Sequence, residues 1–220
     1  MIRSGFLARV QQGWYRLVRF VCRWTAVTLW GLRGYGMRHV PRTGGVILAV
    51  NHQSFLDPAL VALPLERPTH PMARATLFRN PAFGALIVTL NAFPIERDSR
   101  DVKGVKEALS RLKAGRALLV FPEGTRTRDG TVGLMKAGIR LLAERAAAPI
   151  VPVLIEGAYE AWPKGRLFPG FRRINVIFGP PVALDAGAEG AEQLRDAVVR
   201  LGTVPHRKIV RRTNVESKTG

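Results

Sequence analysis

Carboxylates are what this sequence has least of for its size. It carries 16 Asp and Glu against 34 Lys and Arg, a formal net charge of +18 over 220 residues. The first 42 residues hold eight arginines and no Asp or Glu. The far end repeats the bias, with Arg207, Lys208, Arg211, Arg212 and Lys218 against Glu216. Such an excess points to nucleic acid or to an anionic membrane surface. The aromatic-and-basic strand motifs on which RNA-binding modules stack bases are missing, so a membrane surface is the expected partner and nucleic acid is not. Cysteine is nearly absent: Cys22 stands alone, which excludes an intrachain disulfide and suits a reducing cytoplasm. No compact apolar run leads to a small-residue cleavage site, so no secretory leader is expected. Long apolar runs are missing near the N-terminus as well. Trp24 to Leu32, nine residues, is the longest uncharged stretch there, whereas a spanning helix needs about 20. There is also no Gly-x-Ser-x-Gly elbow, Walker loop, dinucleotide fingerprint or His-Glu-x-x-His zinc site.

What is present reads as one α/β domain with a helix in front. Apolar residues make up 47% of the chain, enough for a full core. Residues 6–33 read as one helix in which Gln12, Arg16, Arg19 and Arg23 form a polar stripe. Leu7, Val10, Trp14, Val18, Val21 and Trp24 lie largely on another side, the pattern of a helix lying in a membrane interface. The alternative is a helix packed on the domain with its arginines in water. Gly34 to Gly45 reads as a connection. Apolar runs at Val46–Val50 and Ala117–Phe121 read as buried strands, as do Ile150–Ile155, interrupted by Pro152, and Arg173–Phe178, with a short one at Met72–Thr76. Helical patterns lie between them, at 58–63, 81–90, 101–114 and 139–146, with a last one at 191–201. The expected fold is therefore α/β: a single domain with a mixed, largely parallel central sheet flanked by helices, plus the N-terminal interfacial amphipathic helix. The boundaries fall at 1–35 for the helix, 36–204 for the domain and 205–220 for a basic flexible tail.

Asn51-His52-Gln53-Ser54-Phe55-Leu56-Asp57 follows the first strand. A histidine near its ordinary pKa of about 6.5 accepts a proton at neutral pH, and a carboxylate behind it fixes its tautomer. Five positions separate His52 from Asp57, and no triad serine is evident, although Ser54 is near. The same residues also fit a turn histidine and an aspartate that caps a helix ahead of Pro58. Phe121-Pro122-Glu123-Gly124-Thr125-Arg126 follows another buried strand and offers N–H groups, a hydroxyl and a guanidinium to an anion, and Arg97 offers a second fork. Taken singly, Arg97 and Arg126 fit solvated surface charges equally well.

Together these stretches resemble the glycerolipid acyltransferase family, the 1-acylglycerol-3-phosphate (lysophosphatidic acid) acyltransferases. Four blocks occur in family order: Asn51 to Asp57, Phe93-Pro94-Ile95-Glu96-Arg97, Phe121 to Arg126, and Ile150-Val151-Pro152-Val153-Leu154. Between the first two, Ala73 to Phe78 is also similar, with Arg74 where the family often has lysine. Asn91 stands where the second block usually opens with glycine, and Glu96 where aspartate is common. The resemblance implies that His52, oriented by Asp57, deprotonates the free hydroxyl of a lysophospholipid acceptor, whose oxygen attacks the thioester of acyl-CoA or acyl-carrier protein. It implies an acceptor-phosphate site of Arg97, Glu123, Gly124, Thr125 and Arg126, with Arg74 nearby. Pro152 is associated with the acyl donor or with packing beside the site. No cofactor and no metal are implied, and the expected location is the cytoplasmic face of the inner membrane without a spanning helix.

Overall fold

Val46–Val50 (β2) is buried along its whole length, and its alternate side chains divide the core in two. Val46, Leu48 and Val50 point into one apolar cluster, Ile47 and Ala49 into the other, as the period-2 geometry of a strand requires. In the computed structural model, which describes residues 2–96, 102–163 and 165–203, with the side chains of 2–12 and 14–16 left aside, β2 is the middle strand of seven. The others are Arg33–Tyr35 (β1), Thr69–Arg74 (β3), Phe93–Ile95 (β4), Ala117–Val120 (β5), Ile150–Glu156 (β6) and Asn175–Phe178 (β7). Their order is β1-β7-β6-β2-β5-β3-β4. The five strands β6, β2, β5, β3 and β4 are parallel, while β7 is antiparallel to β6 and β1 runs with β7. The sheet is thus mixed and largely parallel, as expected.

Helices cover both faces. One cluster receives Ala26 and Trp30 of α1 (Ile2–Trp30), Leu60 and Val61 of α2 (Asp57–Ala62), and Ala158 and Ala161 of the short α6 (Ala158–Ala161). The other receives Ala108 and Leu112 of α4 (Val102–Lys113), Ile139 and Ala143 of α5 (Gly138–Ala146), and Leu194, Val198 and Leu201 of α7 (Gly187–Thr203). The remaining helix, α3 (Pro81–Thr89), is capped by Asn80, whose side chain accepts the Phe83 N–H.

Several expectations need correction. The short strand expected at Met72–Thr76 is β3, which begins at Thr69 and ends at Arg74. The domain begins before residue 36: Arg33–Tyr35 pairs in register with Asn175–Ile177, and three residues are too few to display a period. The helix ends at Trp30 rather than 33, because the Trp30 carbonyl accepts the Ile174 N–H and the Arg33 N–H donates to Ile174. β7 begins at Asn175 rather than Arg173. The arginine stripe of α1 is not wholly outward: Arg19 turns onto the domain and donates to the carbonyls of Leu63 and Leu65 just past α2, where a cation suits carbonyls that have no helical partner. Beside Arg23, Thr25 and Thr28, α1 leaves a row of large apolar side chains in solvent: Leu17, Phe20, Val21, Trp24 and Val27 are exposed. Among the described residues no helix is long and apolar enough to cross a membrane. The tail, 205–220, lies outside the described residues.

Candidate active site

Five parallel strands bring their carboxyl ends to one edge of the sheet, the edge at which α/β folds hold ligands. The first block leaves β2 there, Phe121 to Arg126 leaves β5, Arg74 ends β3, and Glu96 follows β4. The sheet order β2-β5-β3-β4 sets these side by side. Residue Arg97 lies outside the described residues.

His52 Nδ1 lies 2.7 Å from Asp57 Oδ2, with the ring one-fifth exposed and the carboxylate fully buried. The imidazole stacks on Phe121, ring centroids 4.0 Å apart. A carboxylate at Nδ1 calls for the proton on that nitrogen and leaves the Nε2 lone pair for a substrate. Asp57 is not the side-chain cap expected of it. It lies inside α2, and its Oδ2 also accepts the N–H groups of Gln53 at 2.6 Å and Ser54 at 2.8 Å. The carboxylate therefore gathers the upstream loop around itself, which fixes His52 by backbone as well as by side chain. Burial, the largest influence, pushes the Asp57 carboxyl up; the hydrogen bond and charge of His52 and the N–H groups of Ser54 and Gln53 oppose it.

Ser54 is not a nucleophile in waiting. It is fully buried, and its hydroxyl donates to the Trp162 carbonyl at 2.8 Å. Cys22 sits half-buried against the core on α1, and burial pushes its thiol up, away from the thiolate.

Glu123, which the resemblance places in the acceptor-phosphate site, is held by two backbone donors. Its Oε1 accepts the His52 N–H at 2.9 Å, and its carboxyl, raised by burial, also takes a hydrogen bond from the Gly133 backbone. The Thr127 N–H donates to the His52 carbonyl at 2.8 Å. The loop after β5 thus holds the histidine's peptide groups on both sides. Gly124 has φ 72°, a left-handed turn that glycine adopts without strain. A Cβ there would press on Lys136, 3.2 Å away. Thr125 is exposed, Arg126 half-buried and Arg74 exposed.

Other residues of the site escaped sequence reasoning. Asn51 is fully buried: its amide donates to the Ile155 carbonyl at 3.0 Å and accepts the Ile155 N–H at 2.7 Å, joining β2 to β6 as β2 ends. Gln53 bridges Gly130 and Tyr159. The Tyr159 hydroxyl donates to the Arg128 carbonyl, so the polar loop at 127–133 is tied down. Buried amides right after an apolar strand were the available signal. Two further residues of the blocks shape or pack the chain. Asn91 follows α3 at φ 63°, a helix-ending position where glycine is usual and asparagine is tolerated. Pro152 lies within β6, buried, with its ring facing Gly179 and Leu201.

Among the described residues no free serine or cysteine nucleophile stands beside the His52–Asp57 pair at the carboxyl edge of the parallel strands, and a pair so placed can take a proton from a substrate. A family model described as Acyltransferase matches residues 32–156, from the last residue before β1 through β6. The chain belongs to the acyltransferase family and is an enzyme of that class. It is similar to the 1-acyl-sn-glycerol-3-phosphate acyltransferase of Bacillus subtilis, 28% identical over 69% of this chain and 74% of that protein. It is similar to the Pseudomonas aeruginosa enzyme of the same name, 30% identical over 85% of this chain and 71% of that one. It spans 46% of a 32% identical relative of that name from Cocos nucifera. The crystal structure of the 1-acyl-sn-glycerophosphate (LPA) acyltransferase PlsC from Thermotoga maritima has the same fold, with TM-score 0.71 and 24% identity over 93% of this chain and 90% of that one.

Proposed function

We propose that this enzyme transfers a fatty acyl group from acyl-CoA or acyl-carrier protein to the free hydroxyl of lysophosphatidic acid, giving phosphatidic acid. The observation that carries the reading is the 2.7 Å pair of His52 Nδ1 and Asp57 Oδ2, with both peptide groups of His52 held by the neighbouring loop. Nε2 takes the proton as the acceptor oxygen attacks the thioester carbonyl. The new C–O bond forms, the C–S bond breaks, and the sulfur leaves with the proton returned by the imidazolium. Asp57 stabilises that imidazolium. Neither a covalent acyl-enzyme nor a cofactor is required.

Arg126, Arg74, Gly124 and Thr125 stand along one edge with His52 and suit an anionic headgroup. The resemblance of the second block assigns Arg97 to the same headgroup. Glu123 serves as a brace of His52 rather than as a phosphate ligand, since a carboxylate repels phosphate. The exposed apolar stripe of α1 and the net charge of +18 support peripheral binding at the cytoplasmic face of an anionic membrane.

A thiol-release assay with acyl-CoA across a panel of lysolipid acceptors tests the whole reading. Lysophosphatidic acid is the expected preferred acceptor, and preference for a lyso-aminolipid or for glycerol-3-phosphate would replace it. The variant His52→Ala is expected to lose on the order of 10²–10⁴-fold in rate with an unchanged circular dichroism spectrum. Turnover at the wild-type rate would remove His52 as the base.

A further inference from the structure

One segment carries large apolar side chains that belong to neither core cluster and to no block of the site. In the loop between α6 and β7, Leu167, Phe168 and Phe171 are 78, 73 and 79% exposed. Single exposed apolar residues are ordinary, but three such side chains within five positions are not.

Hydrogen bonds hold this segment out. The Gly170 N–H donates to the Ala161 carbonyl at 2.6 Å and the Trp162 indole to the Arg166 carbonyl at 2.8 Å. The Trp30 indole of α1 donates to the Gly170 carbonyl at 2.9 Å. Gly157, at φ 81°, permits the turn at the loop's base, where a Cβ would collide with the Arg173 carbonyl. Its charge is of one sign: Arg166, Arg172 and Arg173 are exposed, and no acidic residue occurs between Glu160 and Asp185.

We propose that residues 166–173 form a second membrane-insertion element. Leu167, Phe168 and Phe171 enter the acyl region of an anionic bilayer, and the flanking arginines engage lipid phosphates. Three observations select a bilayer as the occupant. The arginines complement anionic headgroups. The loop is continuous, through Trp30, with the helix whose apolar stripe faces outward. The loop also touches the catalytic segment, because Trp162 at its base accepts the Ser54 hydroxyl. Insertion there brings the membrane to the edge that carries His52, so a lysolipid slides its hydroxyl to the base while its chain stays in lipid. The inference rests on the reading of a bilayer-borne acceptor.

Two measurements on the full chain test it. Leu167→Ser/Phe168→Ser/Phe171→Ser, which removes no core contact, is expected to reduce co-sedimentation with phosphatidylcholine–phosphatidylglycerol vesicles by at least about tenfold. Its turnover of a monomeric short-chain acceptor should stay at the wild-type level. Unchanged vesicle partitioning overturns the proposal. In the second, Phe168→Cys is labelled with an environment-sensitive fluorophore in a Cys22→Ser background, leaving the rest of the loop native. Its emission should shift to the blue on those vesicles and be quenched by brominated lipid. No shift, or a shift that needs only higher protein concentration and so reports a second copy, overturns it. Neither binding measurement needs turnover, so an enzyme that rejects lysophosphatidic acid would sink the proposed acceptor and leave the loop to be judged separately.

Discussion

Glu123 shows how one carboxylate can tie two loops together around His52. It accepts the His52 N–H and a Gly133 backbone hydrogen bond from a partly buried position. Removing it leaves both donors without a partner, at about 1–3 kcal/mol each. The Glu123→Ala variant should therefore lower the melting temperature and kcat together, with little change in the acceptor KM. A raised KM at unchanged melting temperature would instead make Glu123 a headgroup ligand. His70 gives a second test at this scale. Burial first, then the charges of Arg111, Arg116 and Arg67, lower its pKa from 6.5 to about 4. Its Nδ1 faces an Arg111 nitrogen at 2.7 Å, a contact that needs a neutral ring. Between those two pKa values the unfolded chain binds the proton that the folded chain refuses. This residue's contribution to stability is thus whole above pH 6.5 and is lost as the pH falls through about 4. A histidine NMR titration should find one ring with a midpoint near 4; a midpoint at or above 6.5 would contradict the packing.

At the scale of elements, the site depends on two joints. Asn51 continues the β2–β6 pairing with side-chain atoms where the backbone of β2 turns away. Asn51→Ala should cost about 2–4 kcal/mol by denaturant unfolding, since two buried backbone groups lose their partners. A loss below about 0.5 kcal/mol would mean that water replaces the amide readily. Arg19 is the joint between α1 and the end of α2. Hydrogen bonds from a charged donor are worth about 1.5–3 kcal/mol, and Arg19 is partly exposed, so the lower end applies. Arg19→Ala should loosen α1, seen as faster proteolysis within the helix while the sheet core keeps its hydrogen-exchange protection. Equal loss of protection in both would mean that α1 and the sheet unfold as one unit.

For the whole molecule, the arrangement is one of sides. The carboxyl edge of the parallel strands, the C-terminal end of α1 and the exposed 166–173 loop belong to one end of the sheet. Charge is spread more widely, with a net +18. Binding to anionic vesicles should fall as salt shortens the screening length from about 10 Å at 0.1 M to about 3 Å at 1 M. The apolar contribution should persist, so a residual affinity at high salt is expected from α1 and the loop together. Complete loss at 1 M salt would make the association purely electrostatic.

Much of the plan is local and was legible as such. Val46–Val50 and Ala117–Val120 are buried on both sides and so read as unbroken apolar runs, and α4, α5 and α7 carry a helical period. His52 and Asp57 are five residues apart, so one turn of chain was enough to pair them. What only tertiary structure decided involves partners far apart in sequence. Glu123 reaches His52 across 71 residues, and Trp30 reaches Gly170 across 140. β1 exists because β7 is there to pair with it. Arg19 points inward because the carbonyls past α2 lie beneath it. A strand of three residues, a brace and an inward arginine have no period of their own, so their form comes from the neighbours that folding brings to them.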